Sequence, residues 1–556
     1  MLSLIAILLL LVIPLLMLSL HLTRWRHASQ WFLVVVGILL VWPLVLFTHF
    51  SPPQSISYIS WVPKSLFPLS PALLVDDISW PFSIALVTLG LTLVLTAVAR
   101  VEQAEPSPEQ RPTPSLRDAS ARITTANWPT WAGSLLIISM GLVAVQPGNL
   151  LTILLSWAAI DVIELLVLLA QVSDSAGRER AVIAFSSRAA SIGILVLAQI
   201  QIWQTGRISH LSSISPQSAI YLLIAAGLRL GVLPLHLPFL QEVPLRRSLG
   251  TILRLVPAAA GLSLLVRVAT VGIESSIAMY LLVFCAFAAA FGAGLWALAA
   301  DELAGRPYWI LGTASLATAS AITGQTDACL AWGIASILSG GLLFFTSLRH
   351  PWLRILVVFG FLGLSGLPFT PNWAGVQFYT TLVSSTPSWL STLFFVGFIA
   401  AHALLITGYL RHSLRSTLLA GDNTRNPQVE RWIWIIYPVG LAALPITHFL
   451  IGFWTMPDYR DIPRAAYFSG LAASALGFGL WYISQQLSSS QITKPVHSIN
   501  KIPSELLSFA WLYKPIWYLY HQLQRLSALA YALLEGDGGI LWAIVLFFFI
   551  LMFMQR

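Results

Sequence analysis

Uninterrupted apolar runs of about twenty residues recur along almost the whole chain, and that is the length a helix needs to cross the hydrocarbon core of a bilayer. Hydrophobic residues fill 57% of the 556 positions and charged residues only 9%. A soluble domain carries roughly 25% charged residues, so lipid is the solvent for most of this chain. A transmembrane barrel is excluded, because its strands alternate over segments of about ten residues and these runs are continuous. The sequence predicts an all-α polytopic membrane protein with about sixteen spans. They fall at 2–20, 31–50, 81–98, 128–145, 150–171, 181–204, 219–240, 248–267, 277–300, 307–323, 328–348, 352–371, 389–410, 432–453, 465–483 and 538–554.

Arginine and lysine set the expected orientation. Taking alternate connections as cytoplasmic puts twenty basic residues on that side, Arg24, Arg117, Arg247 and Lys494 among them. Only Lys64, Arg207, Arg460, Arg464 and Arg556 fall on the other. Both termini are therefore expected to face outward, with 146–149, 205–218 and 372–388 outside and 100–127, 411–431 and 484–537 inside. The formal charge of +8 does not point to nucleic acid, because the basic residues are spread over short loops and form no dense face. Residues 2–20 lack a basic flank and a small-residue cleavage site and read as a retained helix.

Cys285 and Cys329 lie far apart in apolar runs, without a CxxC pair or a neighbouring histidine cluster. That spacing argues against iron–sulfur, haem-attachment and structural zinc sites. No nucleotide loop or nucleophile–base grouping appears, so no cofactor, metal or redox catalysis is expected in this chain. Toward the end, 484–502 reads as a polar linker. The 519–533 stripe of Leu519, Leu523, Leu526, Ala530 and Leu533 reads as an amphipathic helix lying along the membrane or bracing neighbours.

Two spans carry helix breakers in their middles. One reads Gly227-Leu-Arg229-Leu-Gly-Val-Leu-Pro234-Leu-His236-Leu-Pro238, the other Gly363-Leu-Ser-Gly366-Leu-Pro368-Phe-Thr-Pro371. They stand five spans apart, an odd offset that gives them opposite orientations, as in inverted repeats with discontinuous helices. Proline inside a span frees backbone carbonyls that lipid cannot satisfy. Breaks at Pro234, Pro238, Pro368 and Pro371 must therefore line protein or water.

The stretch from Arg229 to Arg267 resembles the central signature of the antiporter-like membrane subunits of respiratory complex I. Mrp-type cation/proton antiporters and membrane-bound hydrogenases share that superfamily. Leu74-Val-Asp76-Asp77, Asn149-Leu-Leu with Trp157, and Gly366-Leu-Pro368 resemble further family motifs. The span count and the amphipathic segment before a last helix resemble the L-type member most. The resemblance implies N-terminal helices and a polar loop over 1–127, repeats over 128–267 and 277–410, and peripheral helices over 411–483. It also implies a linker with a lateral helix over 484–537 and an anchor over 538–556.

In that family a row of buried Glu and Lys carries protons, because burial can bring a lysine's pKa toward neutrality. Position by position, the row is missing here: the glutamate falls at Ala158, the central lysine at Arg229, the helix-eight histidine at or beside Arg254, and a later lysine at Val376. The helix-eleven His and Lys have no counterpart in 328–348. Arginine holds its proton at any accessible pH. The polar groups left as proton-path candidates are Asp161, Glu164, Arg229, His236 and Arg254. Asp161 and Glu164 share a helix face, and the expected arrangement is an Asp161–Arg229 pair. His402 and His448 read as satisfied core histidines, and Arg188 and Arg354 as residues near span ends that snorkel to the interface.

The resemblance implies a non-catalytic, antiporter-like subunit of a complex I-type NADH (or other donor):quinone oxidoreductase in an energy-converting membrane such as the bacterial plasma membrane. Its partners would be other membrane subunits, lipid, and protons or cations. Two roles stay open, proton translocation along a rearranged path or structural coupling, alongside a place in a cation antiporter or inorganic-carbon uptake complex.

Overall fold

The computed structural model describes residues 1–22, 27–61, 67–97, 128–172, 175–204, 211, 214–237, 247–347, 353–385, 388–414, 433–455 and 464–486, with scattered positions between 518 and 552. Met1–Lys494 forms one compact unit and Pro495–Arg556 a second. Pro238, all five residues of the 519–533 stripe, the 100–127 loop and most of the 538–554 run lie outside the described residues.

The first unit begins with α1 (Leu2–Leu22) and α2 (His27–Phe47), then a tight turn at Thr48–Phe50 and an antiparallel hairpin of β1 (Gln54–Ser57) and β2 (Ala72–Val75). There follow α3 (Ser79–Thr96), α4 (Trp128–Val145), α5 (Leu150–Gln171), α6 (Ser175–Gln204), α7 (Pro216–Leu230) and α8 (Arg247–Val271). The rest comprises α9 (Ser275–Leu298), α10 (Arg306–Ile322), α11 (Thr326–Phe345), α12 (Leu353–Ser365), α13 (Gln377–Ser385), α14 (Ser388–Ser413), α15 (Ile433–Thr455) and α16 (Arg464–Gln486). Among the described residues eleven helices are long and apolar enough to cross a bilayer, and α4 and α12 are shorter apolar helices. The chain is an all-α polytopic membrane protein.

Four helices form the centre. α3, α8, α10 and α11 are buried on nearly every side. α4 and α7 pack on α8, α10 and α12 pack on α11, and α8 and α11 pack on each other. Some of their hydroxyls are satisfied within their own helices, as where Ser83 donates to the Ser79 carbonyl at 2.7 Å and Thr88 to that of Ile84 at 2.7 Å, and others reach a neighbouring helix, as Thr92 does to the Gly440 carbonyl and Ser263 to that of Val145. Such i−4 bonds let Ser and Thr sit in an apolar interior. Around this centre α1, α2, α5, α6, α9 and α14–α16 keep exposed apolar faces, including Leu166, Phe287, Phe453 and Phe468.

α8 is pinned at both ends. Arg247 reaches Glu302 at 2.7 Å and the Thr346 carbonyl at 2.7 Å. Twenty residues on, about 30 Å away along the helix, Arg267 forms a fork on Asp76 at 3.0 and 3.1 Å. Asp76 also accepts from the backbone of Ser79, the first residue of α3, at 2.9 Å. Two segments that resemble family motifs, Leu74–Asp77 and the end of 227–267, are thus bound to each other. The hairpin is fastened to the α4–α5 turn beside them: Leu74 N donates to the Gln146 carbonyl, and Asn149 Nδ2 to that of Ser70.

Candidate functional site

α5 starts where its sequence predicts. Asn149 caps it, accepting from Thr152 N at 3.0 Å, which satisfies an otherwise orphaned first-turn donor. From that start Trp157, Asp161, Glu164 and Leu168 follow at helical spacing and all are buried. α7 begins at Pro216 behind the Ser215 cap and ends at Leu230, because Gly231 takes φ +79°. A left-handed residue closing a helix is glycine's usual place. Gly227 O then accepts from Val232 N at 2.8 Å and Leu233 N at 3.2 Å, and Gly231 O accepts from His236 N at 2.9 Å. The first break therefore closes largely on its own backbone.

Arg229 stands in the last turn of α7, where a cation complements the helix dipole. Its Nη1 donates to Asp161 Oδ2 at 3.0 Å and its Nη2 to Oδ1 at 2.7 Å. Its Cζ lies 4.6 Å from the Trp157 ring centroid, a cation–π contact. The expected pair is present, as a two-bond fork.

Arg188 is the correction. It is 1% exposed and does not snorkel: its Nη1 donates to Glu164 Oε2 at 2.6 Å, and its Nε lies 3.6 Å from Asp161 Oδ1. The cause is the start of α6. The helix begins at Ser175 rather than 181, so Arg188 sits near its middle. Side chains tilt toward the helix N-terminus, which brings this one back to α5. The signal was present in the sequence: Ala181, Ala184, Arg188, Ser191, Leu195 and Ala198 form one buried stripe at helical spacing. Asp161, Glu164, Arg188 and Arg229 make a neutral quartet of two carboxylates and two guanidiniums, none more than 4% exposed.

The other two candidates bind backbone. His236 Nδ1 donates to the Pro234 carbonyl at 2.9 Å, and Arg254 Nη1 to that of Gly250 at 3.1 Å.

The second break is built differently. α12 stops at Ser365, and Gly366 and Phe369 both take positive φ. Residues 372–388, expected as an outer connection, instead hold a tight turn at Ala374–Val376 and the helix α13. Trp373, Val376, Phe378, Tyr379 and Leu382 there are buried. α12 and α13 thus flank the segment of Gly366–Val376. The Leu364 carbonyl accepts from His402 Nε2 at 2.9 Å and Asn372 Nδ2 at 3.2 Å. The Ser365 carbonyl accepts from Ser474 Oγ at 2.8 Å. Tyr379 OH donates to His402 Nδ1 at 3.2 Å, so both ring nitrogens are used with the proton on Nε2. His448 Nδ1 lies 3.4 Å from Ser339 Oγ, which donates to the Gly360 carbonyl at 3.0 Å. Both histidines are core residues with hydrogen-bond partners.

The geometry defines a polytopic membrane chain in which two helices end at a glycine of positive φ, one beside a charge cluster and one in a neutral network. No family model matches the chain, and no curated protein matches it in sequence. Solved structures do match in fold. A chain of the membrane-bound sulfane sulfur reductase, described as an archaeal respiratory membrane complex, aligns with a TM-score of 0.67 at 15% identity, over 99% of both chains. A chain of the Mrp complex from Dietzia sp. aligns with a TM-score of 0.67 at 15% identity, over 99% of this chain and 62% of that one. A chain of respiratory complex I from Thermus thermophilus aligns with a TM-score of 0.57 at 16% identity, over 81% of this chain and 98% of that one. The fold is the one these membrane-complex chains share, and it reaches well beyond the 227–267 stretch that carried the sequence resemblance.

Proposed function

We propose that this chain is an antiporter-like membrane subunit of a multi-subunit, energy-converting assembly of the complex I type. In this reading its first half couples and stabilises the assembly, and Arg229 relays no proton. The observation that carries the reading is the Arg229–Asp161 fork. A guanidinium bonded to both oxygens of a buried carboxylate is fixed in place and cannot titrate. Redox chemistry would belong to other subunits, and the exposed faces of α1, α2, α5, α6, α9 and α14–α16 supply surface for neighbours and lipid. Isolation in mild detergent tests the assembly: quinone-site and iron–sulfur subunits should co-purify. Recovery of cation-transport or carbon-uptake partners alone would replace this assignment.

Arg229→Lys tests the role. Lysine offers a point charge where the fork needs a plane, so stability should fall while ion pumping by the assembly stays nearly unchanged. A new pH dependence of pumping would show that position 229 lies on the ion route. We further propose that both termini face outward, from the basic-residue bias. Single cysteines in 146–149 should react with an impermeant reagent on intact cells and those in 100–127 should not. The opposite pattern would invert the topology.

A further inference from the structure

The two ion pairs of the quartet differ in strength. Asp161 meets Arg229 with both oxygens, at 2.7 and 3.0 Å. Glu164 is held by Arg188 through Nη1 alone. The Nε and Nη2 of Arg188 are buried and make no hydrogen bond, although Nε already stands 3.6 Å from Asp161 Oδ1. Arg188 therefore has a second carboxylate within reach and donors free to meet it. The two acids also differ in depth. Glu164 lies about 10 Å from the Gln171 end of α5 and Asp161 about 15 Å, at 1.5 Å per residue. That end leads to Arg178 and Arg180, on the side expected to be cytoplasmic.

We propose that Glu164 is a proton-exchange site entered from the Gln171 end of α5, and that Arg188 is its positioning residue, turning from Glu164 to Asp161 when the proton binds. The proton bonds to a Glu164 carboxylate oxygen, and no other covalent bond forms or breaks. The charge-assisted bond from Nη1 weakens, and Nε and Nη2 close on Asp161. The site passes from neutral to one net positive charge, shared by two guanidiniums on one carboxylate, and release reverses the steps. The charges that act on Glu164 are Arg188 of α6, Asp161 of α5 and Arg229 of α7. The described residues of α4, which also packs on α5, carry no titratable side chain; α8 touches α5 and carries Arg254 on its buried surface. The proposal rests on the locked first half described above and adds one place where the lock opens.

Infrared difference spectra of the full chain in lipid nanodiscs, recorded between about pH 4 and 9, where perturbed carboxyls titrate, provide the test. A reversible carboxylic-acid band should appear as pH falls, vanish in Glu164→Gln and change frequency in Glu164→Asp. Arg188→Gln removes the nearest cation, and an opposite charge at this range shifts a carboxyl by about one to three pH units. The band's midpoint should therefore rise by that much. Should Arg188→Gln fail to fold, Arg188→Lys keeps the charge and loses the second reach, and should raise the midpoint by less. No titrating band, a band that survives Glu164→Gln, or a midpoint indifferent to residue 188 would each overturn the proposal. None of these results bears on which subunits co-purify, so the assembly assignment stands or falls separately.

Discussion

The two broken helices solve one problem in opposite ways. At the first break, Gly231 folds the chain back so that N–H groups at 232, 233 and 236 satisfy the freed carbonyls of Gly227 and Gly231. The polar chemistry there is ionic and reaches sideways, from Arg229 to Asp161 on α5. At the second, the freed carbonyls of Leu364 and Ser365 are met by side chains from α14, α16 and the break itself, namely His402, Ser474 and Asn372. No charged residue takes part in those bonds. A helix interrupted in lipid must satisfy its backbone somewhere, and either local closure or borrowed donors will do so. Only the first solution leaves charges that must be paired, and only there can removing one partner strand an ion.

The largest expected effect follows from that asymmetry. Asp161→Asn leaves Arg229 buried without its counter-charge and should cost about 3–5 kcal/mol, read as a large fall in the thermal unfolding midpoint of the solubilised chain. Replacing both partners, Asp161→Leu with Arg229→Met, should recover most of that loss, because well-packed apolar groups often substitute for a buried pair. A double variant as unstable as the single one would mean that packing, not stranded charge, sets the cost.

His402→Ala should cost less, about 1–3 kcal/mol, the penalty for burying Tyr379 OH and part of the Leu364 carbonyl without their partner. The same thermal measurement checks it. A loss equal to that of Asp161→Asn would erase the distinction between the ionic and the neutral break. Smallest is Ser474→Ala, which removes one interhelical hydrogen bond. Such bonds average about 0.6 kcal/mol in membrane proteins, so a shift well above that would show that α16 holds the break shut and does more than cap it.

Much of this was legible in the chain. Runs of lipid-spanning length gave the helices, because hydrocarbon admits little else. Gly231 and Gly366 marked both breaks, because their backbone conformations suit glycine. The cost of an unpaired buried charge gave the Asp161–Arg229 pair. Arg188 was misread because apolarity locates a span only to within several residues: Ser175–Arg180 is polar yet helical, which moves Arg188 from an apparent end to the middle. α13 was missed because QFYTTLVSS is short and polar, and it is helical through packing against α14 and α16.

The sequence by itself determined the solvent, the helices and where two of them must break, since those depend on local apolarity and backbone freedom. Which groups beyond Asp161 and Arg229 would meet at each break was decided only by the tertiary structure. Arg188 lies 24 residues from Glu164 and His402 lies 38 from Leu364. Hydrogen bonds and ion pairs reach about 3 Å, so only helix packing can choose which distant residues come within that reach.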